Sequence, residues 1–163
     1  MTQTILLAED HKIVREGLRS LLDQHGDLEV IGEAEDGRTA AELARQLRPN
    51  VVIMDISMPG LNGIEATRQI VAQTAGVKVI ALSVHADAKF VASMLKAGAT
   101  GYVLKECAFE ELEDAIDAVR SNRIYLSKRI TSVVVESYVS RLSAAGQSAP
   151  PALTPKEREV LQL

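Results

Sequence analysis

Tryptophan is absent from this chain, aromatic residues make up only 3% of it, and cysteine occurs once. A core therefore has to be built from Val, Ile, Leu, Ala and Met. The lone Cys107 excludes an internal disulfide and fits a reducing cytoplasm; it reads as a small residue at a helix start rather than as a working thiol. No run is apolar for long enough to span a bilayer, and no basic start leads into an apolar core, so a soluble, cytoplasmic protein without membrane contact is expected. No G-x-G-x-x-G segment follows the first apolar run, which counts against a nucleotide-binding Rossmann role. A cationic excess is missing too. The net charge is −4, and residues 1–120 hold 12 Lys/Arg against 19 Asp/Glu. That part lacks the cations that binding nucleic acid by itself would need. Residues 121–163 hold 6 against 3, a mild excess that reads as a solvated helix face.

What remains is ordinary globular composition: 163 residues, 47% hydrophobic and 25% charged. That length supports one domain of about 100–150 residues plus something smaller. Strand-like and helix-like segments alternate five times. Apolar runs at Thr4–Ala8, Leu28–Ala34, Val51–Met54, Val77–Leu82 and Thr100–Leu104 predict strands. Between and after them, helical stripes fall at Val14, Leu18, Leu21 and Leu22, then over Thr39–Leu47, Ile64–Val71 and Ala88–Lys96. A fifth stripe runs through Phe109, Leu112, Ile116 and Val119. The inner strands are continuously apolar, as when helices cover both faces of a parallel sheet. The fold class is α/β, a doubly wound five-stranded parallel sheet with functional groups at the strand carboxyl ends.

After about residue 122 the pattern changes. Ile130, Val134, Tyr138 and Leu142 recur every fourth residue and predict an extra helix over 128–144. Its Val133-Val134-Val135 run lowers its propensity, so docking or pairing has to stabilise it. Residues 145–152 (AGQSAPPA) have the composition of a linker. Thr154-Pro155-Lys156-Glu157 then reads as an N-cap, a Pro at the first helical position and a Glu three residues past the cap. The expected organisation is a domain over 1–122, a linker helix and Pro-containing linker over 123–153, and at 154–163 the beginning of a second domain that is otherwise absent.

The chemistry concentrates at strand ends. Asp55 closes the run Val51-Val52-Ile53-Met54 and opens the loop Ile56-Ser57-Met58-Pro59-Gly60. Glu9-Asp10, Ser83 and Lys105 end other strands in the same way. Mg2+ takes oxygen ligands, usually one or two carboxylates completed by water and phosphate oxygens. Asp10 and Asp55 can supply carboxylates, the backbone carbonyl of Ser57 a third ligand, and Glu9 a grip on a coordinated water. Beside such a metal Asp55 can act as nucleophile toward a phosphoryl donor. Lys105 would offset charge on the phosphoryl oxygens, and Ser83 would donate a hydrogen bond to one of them. Each residue also has a plainer use: Glu9-Asp10 as a cap of the first helix, Ser83 as a turn residue, Lys105 as a solvated surface charge. Their joint placement on four strands favours the site.

Ala8-Glu9-Asp10, Met54-Asp55-Ile56-Ser57-Met58-Pro59-Gly60, Ala81-Leu82-Ser83 and Tyr102-Val103-Leu104-Lys105 closely resemble the receiver domain of two-component response regulators, over about residues 3–122. Leu153-Thr154-Pro155-Lys156-Glu157-Arg158-Glu159-Val160-Leu161 resembles the opening of a LuxR-type helix-turn-helix domain. Together they are similar to the NarL/FixJ group of DNA-binding regulators. The resemblance implies a CheY-like fold and phosphorylation of Asp55 by a sensor histidine kinase. Glu9 and Asp10 would complete the magnesium site and Lys105 would contact the phosphoryl group. Ser83 would swing toward it and let Tyr102 change rotamer. The output would be homodimerisation and control of DNA binding through the largely absent C-terminal domain. The protein would not be an enzyme beyond Mg2+-dependent self-phosphorylation and autodephosphorylation. Pairing through the first and fifth helices, or through the surface of the fourth helix, fifth strand and fifth helix, are both open; so is pairing or docking of the 128–144 helix.

Two positions depart from the family pattern. Glu106 follows the lysine where Pro is common, so a cis bond is not expected there. Val84 follows the serine where Ala or Gly is frequent, and its bulk would restrict access to the acceptor. A stand-alone receiver, relaying phosphate or binding a protein target, is the competing function. A metal-dependent hydrolase would need a second acid near Asp55, but residue 57 is Ser.

Overall fold

The computed structural model describes residues 2–148. The expected second-domain opening at 154–163, and the linker from residue 149 onward, lie outside the described residues. Six parallel strands form one sheet: β1 (Gln3–Ala8), β2 (Leu28–Ala34), β3 (Val51–Asp55), β4 (Lys78–Ser83), β5 (Gly101–Leu104) and β6 (Tyr125–Leu126), in the order β2-β1-β3-β4-β5-β6. The helices are α1 (Lys12–Asp23), α2 (Gly37–Leu47), α3 (Gly63–Gln73), α4 (Ala88–Ala97), α5 (Ala108–Arg120) and α6 (Lys128–Ser148).

Strand parity explains the continuous apolar runs. Ile5, Leu7, Val51, Ile53, Ile80, Leu82 and Val103 pack with Leu18 and Leu22 of α1 and Leu112, Ile116 and Val119 of α5. Leu6, Ala8, Val52, Met54, Val79, Ala81 and Tyr102 face α2, α3, α4 and the start of α6. On the inner strands β1, β3, β4 and β5 both faces are dry, so neither parity is polar between the strand ends, whereas edge strand β2 keeps Glu29 and Glu33. Because β1 lies between β2 and β3, the chain leaves β1 and β3 toward opposite faces, and a crevice opens between their carboxyl ends. Asp55 and the Glu9-Asp10 pair stand there.

The structure corrects three expectations. The sheet has six strands, not five: Tyr125 and Leu126 pair with Gly101 and Tyr102. Two residues are too short to carry a period. Ser127 secures the addition, its hydroxyl accepting from the Leu104 N–H at 3.2 Å and donating to Glu111 Oε2 at 2.8 Å, while the Tyr125 hydroxyl donates to Glu111 Oε1 at 2.8 Å. Secondly, Phe109 is 54% exposed rather than part of the α5 core stripe. The buried positions of α5 are Ala108, Leu112, Ala115, Ile116, Ala118 and Val119, and Phe109 lies beside that stripe with its ring against Gly17 of α1. Thirdly, α6 continues to Ser148, four residues into the stretch read as linker, since no Pro interrupts it before Pro150. The plainer use of Glu9 and Asp10 as caps of α1 is not taken either: the N-cap is His11, without a side-chain capping bond.

The starts of α2, α3 and α4 follow their caps. The side chains of Asp36, Asn62 and Asp87 accept from the N–H of Thr39, Glu65 and Phe90 at 2.7, 3.0 and 3.0 Å. Gly98 closes α4 at φ 112°, a conformation that favours glycine. At Asp36 the hydrogen bond from the Thr39 N–H holds the carboxyl below its usual value of 3.8. Replacing Asp36 by Ala is expected to cost about 1 kcal/mol. A group with a lowered folded pKa stabilises above its unfolded value and loses that contribution as pH falls through the folded one. The cost, read from urea midpoints, is therefore full at neutral pH and fades below pH 3.8.

Docking, not propensity, accounts for α6. Ile130 is fully buried and Val134 packs on the same core. A groove between α4 and α6 is lined by Ala88, Val91, Leu95, Val134, Tyr138 and Arg141, among others. The stripe is buried only at its beginning, because Tyr138 is 52% exposed and Leu142 39%.

Candidate functional site

Asp55 is the last residue of β3 and is buried despite its charge. Beyond it, the Ile56 N–H donates to the Leu82 carbonyl at 3.1 Å and the Gly63 N–H to the Ile56 carbonyl at 3.0 Å, folding the loop back under α3. Gly63 is required there: a Cβ would stand 2.3 Å from the Asp55 carbonyl oxygen. The Ser57 N–H donates to Asp55 Oδ1 at 3.0 Å, while Lys105 Nζ reaches Asp55 Oδ2 at 3.1 Å and Glu9 Oε1 at 3.0 Å. Lys105 sits in a 3-10 turn, Lys105–Cys107, at the end of β5, and its side chain is 17% exposed. Among the described residues no peptide bond is cis, the Lys105–Glu106 bond included.

Two buried carboxylates thus share one lysine. Burial pushes the Asp55 carboxyl up to about 6, and the nearby charge of Glu9 adds to the rise; the Ser57 N–H and Lys105 oppose it. Burial also works against the Lys105 ammonium, but its bonds and charge attraction to Glu9 and Asp55 outweigh that, leaving its pKa above the ordinary value. Glu9 is fully buried, and its Oε2 has no hydrogen-bond partner in the structure. An orphaned buried carboxylate oxygen is costly unless something else satisfies it. Together with half-exposed Asp10, the site holds more negative charge than Lys105 balances. An excess of carboxylate oxygen at a strand-end crevice suits a hard divalent cation.

Ser83 and Tyr102 stand apart from Asp55. The Ser83 hydroxyl, buried, accepts from the His85 N–H at 2.8 Å, and the His85 carbonyl accepts from the Tyr102 hydroxyl at 2.7 Å. Tyr102 is fully inside the core, and burial above all holds its phenol above the usual value. One peptide segment therefore links the serine to the tyrosine.

Three residues escaped sequence reasoning. Arg15 is buried on α1; its guanidinium donates to the Glu9 carbonyl at 2.7 Å and pairs with Glu35 at 3.1 Å, anchoring the end of β1. A charged residue one position off the α1 stripe gave a faint clue. The His85 ring stacks on Phe90 at 4.1 Å, with its Nε2 3.5 Å from the Ser57 hydroxyl. His11 Nδ1 lies 2.9 Å from Glu9 Oε1, and nothing in its spacing foretold that contact.

Val84 is 68% exposed beside Ser83 and Lys105, in a shallow groove that Leu104, Glu106 and Arg129 complete. If Asp55 is phosphorylated and the bulk of Val84 slows access of water to it, Val84→Ala is expected to speed loss of the phosphoryl group several-fold, timed by phosphate release; an unchanged rate removes that role.

Comparisons with known proteins place the chain in a family. The family model described as the response regulator receiver domain matches residues 5–117. The chain is 38% identical over 134 residues to the transcriptional regulatory protein DegU of Brevibacillus brevis, covering 82% of this chain and 57% of that protein. It is 40% identical over 161 residues to LiaR of Bacillus subtilis (strain 168), covering 98% and 74%. A crystal structure of a LuxR-family two-component response regulator from Aurantimonas sp. SI85-9A1 superimposes with a TM-score of 0.81 at 37% identity, covering 85% of this chain and 99% of that one. The Salmonella typhimurium RcsB response regulator superimposes with a TM-score of 0.78 at 27% identity, covering 99% and 76%. This chain spans between 57% and 74% of the length of DegU and LiaR.

Proposed function

The chain belongs to the response regulator receiver family, in its LuxR/NarL-type branch, and on that footing we propose that Asp55 is its phosphoacceptor and a sensor histidine kinase its donor. An Asp55 oxygen attacks phosphorus, the bond to the donor nitrogen breaks, and an aspartyl phosphate forms. The observation that carries this assignment is the buried Asp55 carboxylate, held by Lys105 and the Ser57 N–H beside the orphaned Glu9 oxygen.

Glu9, Asp10, Asp55 and the Ser57 backbone carbonyl are the residues that would hold Mg2+. Bound there, the ion supplies positive charge to offset that of the phosphoryl oxygens. Lys105 remains near both carboxylates and is free to move its ammonium to a phosphoryl oxygen. Ser83 would leave the His85 N–H to donate to that group, and the His85 carbonyl that holds Tyr102 would shift with it. Tyr102 lies on β5 within the core that α4 and α6 share, so its movement would reach α6. Two packings of that region, biased by one local charge change, constitute the switch.

The same proposal assigns the protein a cytoplasmic role as a transcription regulator, dimerising on phosphorylation and binding DNA through a helix-turn-helix domain. Residues 1–122 would be the receiver, 123–153 the connection and 154–163 the start of the helix-turn-helix domain. Its only catalysis would be self-phosphorylation and autodephosphorylation. No helix among the described residues is long and apolar enough to cross a membrane.

Beryllofluoride with Mg2+ tests the switch by NMR. Amide shifts are expected at Asp55, Ser83, His85, Tyr102 and α6 in the wild type and at none of these in Asp55→Asn. Shifts confined to the Asp55 loop would contradict the coupling to Tyr102.

A further inference from the structure

His11 is the N-cap of α1, yet its side chain takes no part in capping. Its ring turns toward the acid cluster instead, with Nδ1 2.9 Å from Glu9 Oε1 and 3.2 Å from Asp10 Oδ1. Ligand atoms of Glu9, Asp10, His11 and Asp55 all lie within 4.8 Å of one another. The imidazole is 65% exposed, so packing does not fix this orientation. An independent observation points to a ligand at the same spot: Glu9 is fully buried with Oε2 unpartnered.

A neutral imidazole offers one lone pair. Without a cation, Nδ1–H donates to Glu9 Oε1, since a carboxylate only accepts; with a cation bound, the neutral ring takes its other tautomer, the proton on Nε2 and the Nδ1 electron pair on the metal. All-oxygen carboxylate sites suit Mg2+, whereas an imidazole nitrogen suits first-row transition ions, whose affinities rise along the Irving–Williams order. We propose that His11 Nδ1 is a ligand of the divalent cation held by Glu9, Asp10 and Asp55, making this a mixed nitrogen and oxygen site that takes Mn2+, Co2+ or Zn2+ in preference to Mg2+ at equal free concentration. This rests on the metal-binding part of the function proposed above. The competing role for His11 is a hydrogen bond that orients Glu9, and it would affect every cation alike.

The metal-stripped full chain, wild type and His11→Gln, is titrated with Mg2+, Mn2+ and Co2+ by calorimetry. Electron spin-echo spectra are recorded on bound Mn2+. Imidazole nitrogen modulation is expected in the wild type and not in His11→Gln. The substitution is expected to weaken Mn2+ and Co2+ binding on the order of tenfold or more while leaving Mg2+ binding nearly unchanged. Wild-type Mn2+ without nitrogen modulation, or equal weakening of all three ions, overturns the ligation. The wild-type spectrum decides this even if the variant folds poorly. Mg2+ binding with no nitrogen contact would sink only the His11 assignment; no divalent binding at all would sink the metal site as well.

Discussion

Replacing Lys105 by Met is expected to lower the unfolding free energy of the metal-free protein by about 3–5 kcal/mol at neutral pH. Met keeps most of the volume and the unbranched stem, so packing changes little. What disappears is the ammonium 3.0 Å from Glu9 and 3.1 Å from Asp55, and with it the only basic side chain that the described structure bonds to the two buried carboxylates together. Neither acid can recover its hydration without opening the ends of β1 and β3. With the cation gone, the Asp55 carboxyl rises further, so acidification should restore part of the loss by protonating it. Urea unfolding of the two proteins at several pH values measures this. A loss below about 1 kcal/mol would mean that the pair is solvated like a surface salt bridge.

Asp55→Asn moves stability the other way. Burial pushes the folded carboxyl from its usual 3.8 up to about 6, so the folded state holds this proton more tightly than the unfolded chain does. The stability it contributes is fully present below pH 3.8, declines as pH rises toward about 6, and beyond that the buried charge is a constant penalty. A difference of that size corresponds to about 3 kcal/mol as an upper figure. Asn retains an oxygen for the Ser57 N–H but carries no charge. The variant should therefore be the more stable protein above about pH 6, with the advantage shrinking toward pH 4. In a double-mutant cycle, Asp55→Asn should reduce the cost of Lys105→Met, because the two sites are in contact. Strict additivity would contradict the shared-lysine geometry. Adding Mg2+ should reverse the ranking of wild type and Asp55→Asn, since only the wild type keeps all three acids.

Much of this site is legible in the residues themselves. Strand ends declare themselves where an apolar run stops, and Asp55, Glu9, Ser83 and Lys105 each follow such a run directly. A parallel α/β sheet gathers those ends on one rim without further information. The sequence is silent where geometry depends on side-chain direction or on pairings too short to have a period. His11 reads as one more polar residue before a helix, and only its rotamer turns it into a neighbour of Glu9. Strand β6 is two residues long and is secured by Ser127 and Glu111, which lie sixteen residues apart. Phe109 has the chemistry of a core residue and the right spacing to Leu112, but lies on the flank that Gly17 leaves open. The fate of α6 could not be read from its Val-rich stripe, because a stripe says that a surface needs a partner without saying which. Here the partner of its first turns is α4.

On the function proposed above, Asp55 accepts the phosphoryl group in a divalent-metal site built by Glu9 and Asp10. Intact mass after incubation with acetyl phosphate and Mg2+ tests it most directly, in wild type, Asp55→Asn and Asp10→Asn, each with and without a chelator. One added phosphoryl group is expected on the wild type alone, and only with metal present. An adduct that persists in Asp55→Asn, or that forms equally well in chelator, would contradict the account.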